Sequence, residues 1–420
     1  MKYYIIAGEA SGDLHGSNLM KGIYAEDPQA DIRFWGGDLM LSVWESWQNA
    51  APYDITAAFS ANPIKLEGPS PVEIQNPLKP SGLVRHYKEG AVMGFVEVLA
   101  KAPKLLGNVR YCKKDILSWN PDVVILIDYP GFNFKIAEFA HKAGFKVFYY
   151  IAPKVWASRE SRIKKLKEYI DRLFIVFPFE KEYFESKGID YIYRGNPLVD
   201  AVDTSKAMYE AKEEFFTRVK LEQSPYIAML AGSRKGEIKK MMPVLTEFAA
   251  KMHSTAEYSD YKFIIAGAPS RSMKDYERYL TDENKKYIHV IFGETQAIIK
   301  NADAAVVNSG TASLETVLFN TPQVVGYITN PITYMIAKRI VKIKYISLGN
   351  LIINKLAFKE FIQKDCNSDA LISEVRSLIE NQQYRETMLQ DYAHIRQALG
   401  GSGASSAVAK AMIQELNDNE

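Results

Sequence analysis

Tyr226-Ile227-Ala228-Met229-Leu230-Ala231-Gly232-Ser233-Arg234 carries an unbroken apolar run into a cluster of small residues, and a helical pattern follows. Apolar runs without polar alternation mark strands buried on both faces, as in parallel sheets covered by helices. The succession recurs where the run at 304–307 stops at Asn308-Ser309-Gly310-Thr311-Ala312-Ser313-Leu314-Glu315. At both junctions, backbone N–H groups of a helix N-terminus are free to face phosphate. Arg234 adds a fixed cation. Glu315, one turn into its helix, is placed to accept hydrogen bonds from a ribose, as an acidic residue does in dinucleotide-binding folds. Gly-Ser and Gly-Thr by themselves more often only cap helices. Two such junctions in one half of the chain favour a nucleotide-sugar pocket.

Outward from these junctions, similar runs stand at 3–7, 32–35, 123–127, 147–151, 173–177, 263–266, 290–292 and 323–327, with helical patterns between them. The fold class is α/β. Arg194-Gly195-Asn196-Pro197-Leu198 and the charged segment up to Gln223 divide the strands into two groups, so two Rossmann-like domains facing a cleft are expected. After Tyr327 the pattern turns helical, with 370–379 and 392–399 amphipathic, a break at Gly400-Gly401-Ser402-Gly403 and a last helix over 404–416. These helices are expected to pack back across the domains. Exchange of them between two chains, as a homodimer, is equally open. The segment 41–82 departs from the alternation: Trp44 and Trp47 are followed by Pro52, Pro63, Pro69, Pro71, Pro77 and Pro80. Such a composition resists helix and central strand, so a long loop is expected, a surface insertion rather than a lid.

At 420 residues the chain exceeds one ordinary core. A hydrophobic share of 47% and a charged share of 24% fit a soluble globular protein. Cys112 and Cys366 suggest neither a disulfide framework nor a zinc spacing, which fits a reducing cytoplasm. The first nine residues read as a strand rather than a signal peptide, and no apolar stretch approaches the roughly 20 residues that span a bilayer. The net charge of +2 says little about partners, and no nucleic acid is expected. The basic residues cluster, however: Arg159, Arg162, Lys164, Lys165 and Lys167 beside Val155-Trp156, and Lys338, Arg339, Lys342 and Lys344 beside Tyr334-Met335-Ile336. Most such clusters are solvated helix faces, but basic residues flanked by apolar ones also suit anionic lipid.

Gly8-Glu9-Ala10-Ser11-Gly12-Asp13 follows the first strand and opens a helix, at the sheet edge where open α/β folds bind ligands. Glu9 and Asp13 put negative charge where a pyrophosphate would need donors, and carboxylates suit sugar hydroxyls better. Acidic residues at the positive end of a helix dipole are the plainer reading. Asp128, in Ile127-Asp128-Tyr129-Pro130-Gly131-Phe132-Asn133, ends another apolar strand. It is either a turn residue or a general base poised over the cleft. No Asp-x-Asp pair follows a strand, so no metal or other cofactor is expected.

On these residues the chain resembles the lipid-A-disaccharide synthase family. The segments carrying the resemblance, in family order, are 7–13 (AGEASGD), 90–99 (GAVMGFVEVL), 127–133 (IDYPGFN), 152–159 (APKVWASR), 177–184 (FPFEKEYF), 194–200 (RGNPLVD), 231–238 (AGSRKGEI), 308–315 (NSGTASLE) and 325–352. The resemblance implies a GT-B glycosyltransferase. Its domains would be 1–196, binding acceptor and carrying the insertion; 197–360, binding the UDP-sugar; and 361–420, helices crossing back. The implied reaction transfers 2,3-diacylglucosamine from UDP to the 6-hydroxyl of 2,3-diacylglucosamine 1-phosphate, with inversion, at the inner face of the cytoplasmic membrane. It places catalysis on Asp128 and Arg234. UDP would be held by Ser233, Arg234, Ser309, Gly310, Thr311, Glu315 and Asn350. The acceptor would lie on Gly8, Glu9, Ser11, Gly12 and Asp13, with Met93, Phe95 and Val96 facing acyl chains. A UDP-N-acetylglucosamine 2-epimerase, or a non-catalytic nucleotide-sugar-binding protein, would share the pocket without needing the acceptor.

Overall fold

A computed structural model describes residues 1–50, 81–90, 102–157, 159–331, 334–335 and 344–418, with side chains omitted at 90 and 102–105. Among these residues the strands form two all-parallel sheets. The first orders β3 (Gly82–His86), β2 (Asp31–Gly36), β1 (Lys2–Ala7), β4 (Val123–Ile127), β5 (Lys146–Tyr150), β6 (Arg172–Ile175) and β7 (Ile192–Tyr193). The second orders β10 (Ile288–Phe292), β9 (Lys262–Gly267), β8 (Tyr226–Leu230), β11 (Ala304–Asn308), β12 (Gln323–Tyr327) and β13 (Glu360–Ile362). In each sheet the chain reverses its direction of travel beside the first strand, between β1 and β4 or β8 and β11. That switch point opens a crevice at the carboxyl ends of the strands. β4 and β8 are buried along their whole length, as their unbroken apolar sequences require.

The helices that frame the cleft are α1 (Ala10–Glu26), α2 (Asp38–Asn49), α3 (Pro130–Lys142), α4 (Glu180–Ser186), α5 (Pro197–Asp203), α6 (Lys235–His253), α7 (Thr295–Asn301), α8 (Thr311–Leu318), α9 (Gln382–Leu399) and α10 (Ala404–Asn417). α10 returns to lie against α1. The approach is so close that a Cβ on Gly22 would stand 2.8 Å from Ala409 Cβ and 3.1 Å from Ser406 Cα. α5, which follows the first sheet, holds that return in place. The Asp200 carboxylate accepts hydrogen bonds from Gly403 N–H (2.5 Å), Ala404 N–H (3.2 Å) and Ser405 N–H (2.7 Å), capping α10. Asp203, on the same helix, binds Arg396 and Ser402.

The expected loop over 41–82 is corrected at both ends. Residues 41–49 belong to α2, and Gly82–His86 form edge strand β3. The prolines begin only at Pro52, so nothing forbids helix before it. Trp47 stacks on Tyr24 of α1, with ring centroids 4.6 Å apart. Residues 51–80 lie outside the described residues.

Enlarging Gly22 tests the helix return. Gly22→Val is expected to lower stability by about 1–3 kcal/mol through overpacking against α10. Thermal denaturation would measure the loss, and limited proteolysis would show cleavage near Gly400-Gly401 first.

Candidate active site

The carboxyl ends of the two sheets face each other, and charged side chains bridge them. Arg234, which opens α6 after β8, reaches Glu9, which opens α1 after β1, with Nη2 3.8 Å from Oε2. Its other side meets Glu237, at 3.4 Å. About half of the Arg234 side chain (52%) is exposed.

Asp128 stands at the end of β4 in a strained turn. Asp128 and Tyr129 are both left-handed, with φ of 44° and 45°, a region costly for residues other than glycine. Buried side chains hold the turn: Asn133 Nδ2 donates to Ile127 O (3.2 Å) and Asp128 O (2.8 Å), and Tyr149 OH donates to Asp128 O (2.6 Å). Gly8 is needed for the same turn, because a Cβ there would lie 2.2 Å from the Tyr129 ring. The ring against Gly8 brings the Asp128 turn beside Glu9.

Burial raises the pKa of Asp128, opposed by the positive charges of Lys154 and Arg234 and by a hydrogen bond from Tyr129 N–H. Glu9 is raised by burial too, and by the charges of Asp128 and Glu237, with Arg234 and Lys154 opposing. Two carboxyls thus share the field of two cations. Lys154, within the 152–157 turn after β5, was not singled out from the sequence as a site residue. Its one signal in the sequence is a charged residue shortly after an apolar run; in the structure Ile151, just past β5, turns the chain with φ 61°. Buried Glu180 of α4 pins this turn: it accepts from Trp156 Nε1 (3.0 Å), Val176 N–H (3.1 Å) and Phe177 N–H (3.0 Å). Burial pushes the Glu180 carboxyl up to about 7.

The two expected phosphate junctions differ. At the first, the Glu237 carboxylate already accepts the N–H groups of Ser233 (3.1 Å) and Arg234 (3.2 Å), so what remains for an anion is chiefly the Arg234 side chain. At the second, Gly310 begins α8 with open space where a Cβ would stand, beside half-buried Ser309 and Thr311. Ser309 Oγ donates to Ile346 O (3.3 Å). Asn308 lies buried between the junctions with Oδ1 unpartnered. Glu315, half-buried in α8, accepts from Gln296 Nε2 (2.8 Å), and burial raises its pKa.

Two expected contacts take other roles. Asp13 is buried, and its carboxylate accepts from Gly37 N–H (2.7 Å), Leu39 N–H (3.1 Å) and Met40 N–H (3.1 Å), capping α2. Asn350 is fully buried: Nδ2 donates to Phe358 O (3.0 Å) and Glu360 Oε1 (2.8 Å), while Oδ1 accepts from Ala357 N–H (2.8 Å) and Phe358 N–H (3.3 Å). These bonds hold neighbouring chain in place. In both, the side chain braces the backbone beside the expected site. Gly12 packs against Ala7, and Ser11 lies half-buried on the first turn of α1. Met93, Phe95 and Val96 lie outside the described residues. So do 336–343 of the second basic cluster. In the first cluster Val155 is buried and Trp156 packs edge-on against Phe179, so the apolar part faces inward.

A family model, lipid-A-disaccharide synthetase, matches residues 81–413. The chain belongs to this family. Similar proteins include the lipid-A-disaccharide synthases of Syntrophus aciditrophicus, 31% identical over 96% of this chain and 95% of that protein, and Geobacter metallireducens, 32% identical over 98% and 96%. The synthase of Coxiella burnetii is 30% identical over 97% and 96%. Among solved structures, the UDP-GlcNAc 2-epimerase of Methanocaldococcus jannaschii in complex with UDP-GlcNAc and UDP has a TM-score of 0.63 at 14% identity, covering 99% of this chain and 100% of that one. The Neisseria meningitidis epimerase bound to UDP-GlcNAc has a TM-score of 0.63 at 13% identity, covering 99% and 100%. At such identity the likeness is one of fold, the two-Rossmann-domain GT-B architecture. The family model makes the chain a glycosyltransferase.

The raised pKa of Asp128 carries a stability consequence. A carboxyl whose folded pKa exceeds its unfolded one costs stability above the folded pKa and nothing below the unfolded pKa. Asparagine tolerates left-handed backbone. Asp128→Asn is therefore expected to melt at a higher temperature than the native protein at pH 8, with the gain vanishing as pH falls below the ordinary carboxylate range. Melting curves across pH check the sign.

Proposed function

We propose that the cleft transfers 2,3-diacylglucosamine from UDP to the 6-hydroxyl of 2,3-diacylglucosamine 1-phosphate. The observation that carries this reading is the meeting of Asp128 and Glu9, from the first sheet, with Arg234, from the second, in a chain of this family. The acceptor's 6-oxygen attacks the anomeric carbon, the carbon–oxygen bond to the diphosphate breaks, the hydroxyl proton passes to Asp128, and UDP departs. A single displacement inverts the anomeric centre. A carboxyl raised toward neutrality is better matched to taking that proton than an ordinary aspartate. Negative charge gathering on the departing diphosphate meets Arg234 and the first-turn N–H groups of α8, where stabilisation lowers the barrier. With that charge already opposed by protein donors, the transfer is proposed to be independent of metal and of any other cofactor.

The acyl chains require an apolar surface near the acceptor end. Leu106 (55% exposed) and Leu117 (54%) supply exposed apolar side chains on the helix Ala102–Trp119, and exposed Met335 (58%) precedes the second basic cluster in the sequence. Among the described residues no helix is long and apolar enough to cross a membrane. Peripheral, salt-sensitive association with the inner face of the cytoplasmic membrane is the proposed location. An epimerase reading rests on fold alone and has no use for such a surface.

Purified protein incubated in detergent with UDP-diacylglucosamine and diacylglucosamine 1-phosphate is expected to yield a tetra-acylated disaccharide 1-phosphate and UDP by mass spectrometry, undiminished by chelator. Epimerised sugar without disaccharide would overturn the reading, and loss of product on chelation would overturn its metal independence. Asp128→Asn is expected to bind UDP normally while transfer falls by about 10²–10⁴-fold. Arg234→Ala is expected to lose roughly 10²-fold or more in turnover with the fold intact. Normal transfer by the Asp128 variant would move the base to Glu9.

A further inference from the structure

A chain of hydrogen bonds runs from the segment that joins the two sheets into the donor side of the cleft. Ser205, just after α5, donates through Oγ to Gln296 Oε1 at 2.5 Å, and Gln296 Nε2 donates to Glu315 Oε1 at 2.8 Å. We propose that Gln296 is a positioning residue for the nucleotide ribose, holding one oxygen of Glu315 so that the other addresses the ribose hydroxyls. The inference rests on the reading of Glu315 as the ribose acceptor.

The chemistry of the three groups fixes their orientation. An ionised carboxylate only accepts, so Gln296 must turn its NH2 toward Glu315, leaving its carbonyl oxygen for Ser205. Ser205 is committed as well, because its Oγ accepts from Ala207 N–H at 3.2 Å as the cap of the next short helix. With donor and acceptor both engaged, neither hydroxyl nor amide is free to rotate. α7, which carries Gln296, is itself anchored: Ile298 O accepts from buried Tyr226 OH (2.8 Å), and Ile299 O accepts from Thr321 Oγ1 (2.7 Å). A neutral amide suits the place better than a cation would. It orients the carboxylate and favours its ionised form without cancelling the charge that attracts hydroxyl protons.

The test is binding of UDP and of 2′,3′-dideoxy-UDP, which lacks both ribose hydroxyls, followed by isothermal titration calorimetry on the full chain. The native protein is expected to prefer UDP. Gln296→Leu is expected to bind UDP roughly tenfold more weakly, the order of one hydrogen bond to a charged group, and to bind the dideoxy nucleotide as before. Ser205→Ala is expected to move in the same direction by less. An undiminished preference for UDP in Gln296→Leu, or an equal loss for both nucleotides, would overturn the inference. Glu315→Gln separates the two levels: if it keeps the full preference, the ribose reading of Glu315 itself has failed. If it loses the preference and Gln296→Leu does not, only the positioning role has failed.

Discussion

The return of the last helix onto the first is the constraint on which the cleft depends. Two parallel sheets joined by one connecting segment have no intrinsic reason to present their carboxyl edges to each other. Here Asp200, on that segment, accepts the N–H groups of Gly403, the N-cap, and of the first two residues of the final helix, which then packs on α1 across Gly22. A carboxylate at a helix N-terminus meets both free donors and the positive end of the dipole, which is why a single side chain can anchor a fourteen-residue helix. Because α1 also carries Glu9 at its start, the same packing sets where that carboxyl stands relative to Arg234.

Within the cleft the charges are balanced rather than simply accumulated. Burial raises Asp128, Glu9 and Glu315, while Arg234 and Lys154 draw the first two back toward ionisation. A carboxyl held between these two influences can carry charge and still take up a proton. The left-handed turn at Asp128 and Tyr129 has a conformational cost, and Asn133 and Tyr149 offset it by satisfying the carbonyls that the turn leaves over.

The strands legible in the sequence are those in sheet interiors. Runs such as 123–127 and 226–230 lie buried on both faces, so composition alone identifies them. β3, β7 and β13 are not legible in the sequence because each is an edge strand of partly exposed residues, short or interrupted in its apolar pattern. α2 was obscured by the prolines after it. Its beginning is set by Asp13, more than twenty residues upstream, a tertiary cap that local pattern does not reveal.

The sequence by itself determined the class of fold, its division into two strand groups, the helical character of the carboxyl-terminal region and the placing of Asp128 at a strand end and of Arg234 and Glu315 at the helix starts that follow strands, because burial periodicity and junction chemistry are local properties. Only the tertiary structure decided which polar groups those junctions leave unspent. Asp13 and Asn350 read as ligand residues in sequence; in the fold the Asp13 carboxylate also accepts N–H groups from more than twenty residues away, and Asn350 also binds backbone a few residues on. Lys154 and Gln296 look unremarkable in sequence, yet folding sets one in the field of Asp128 and Glu9 and the other against Glu315. Satisfaction of a polar group and the field at a carboxyl depend on neighbours brought together across the chain, and no local pattern encodes them.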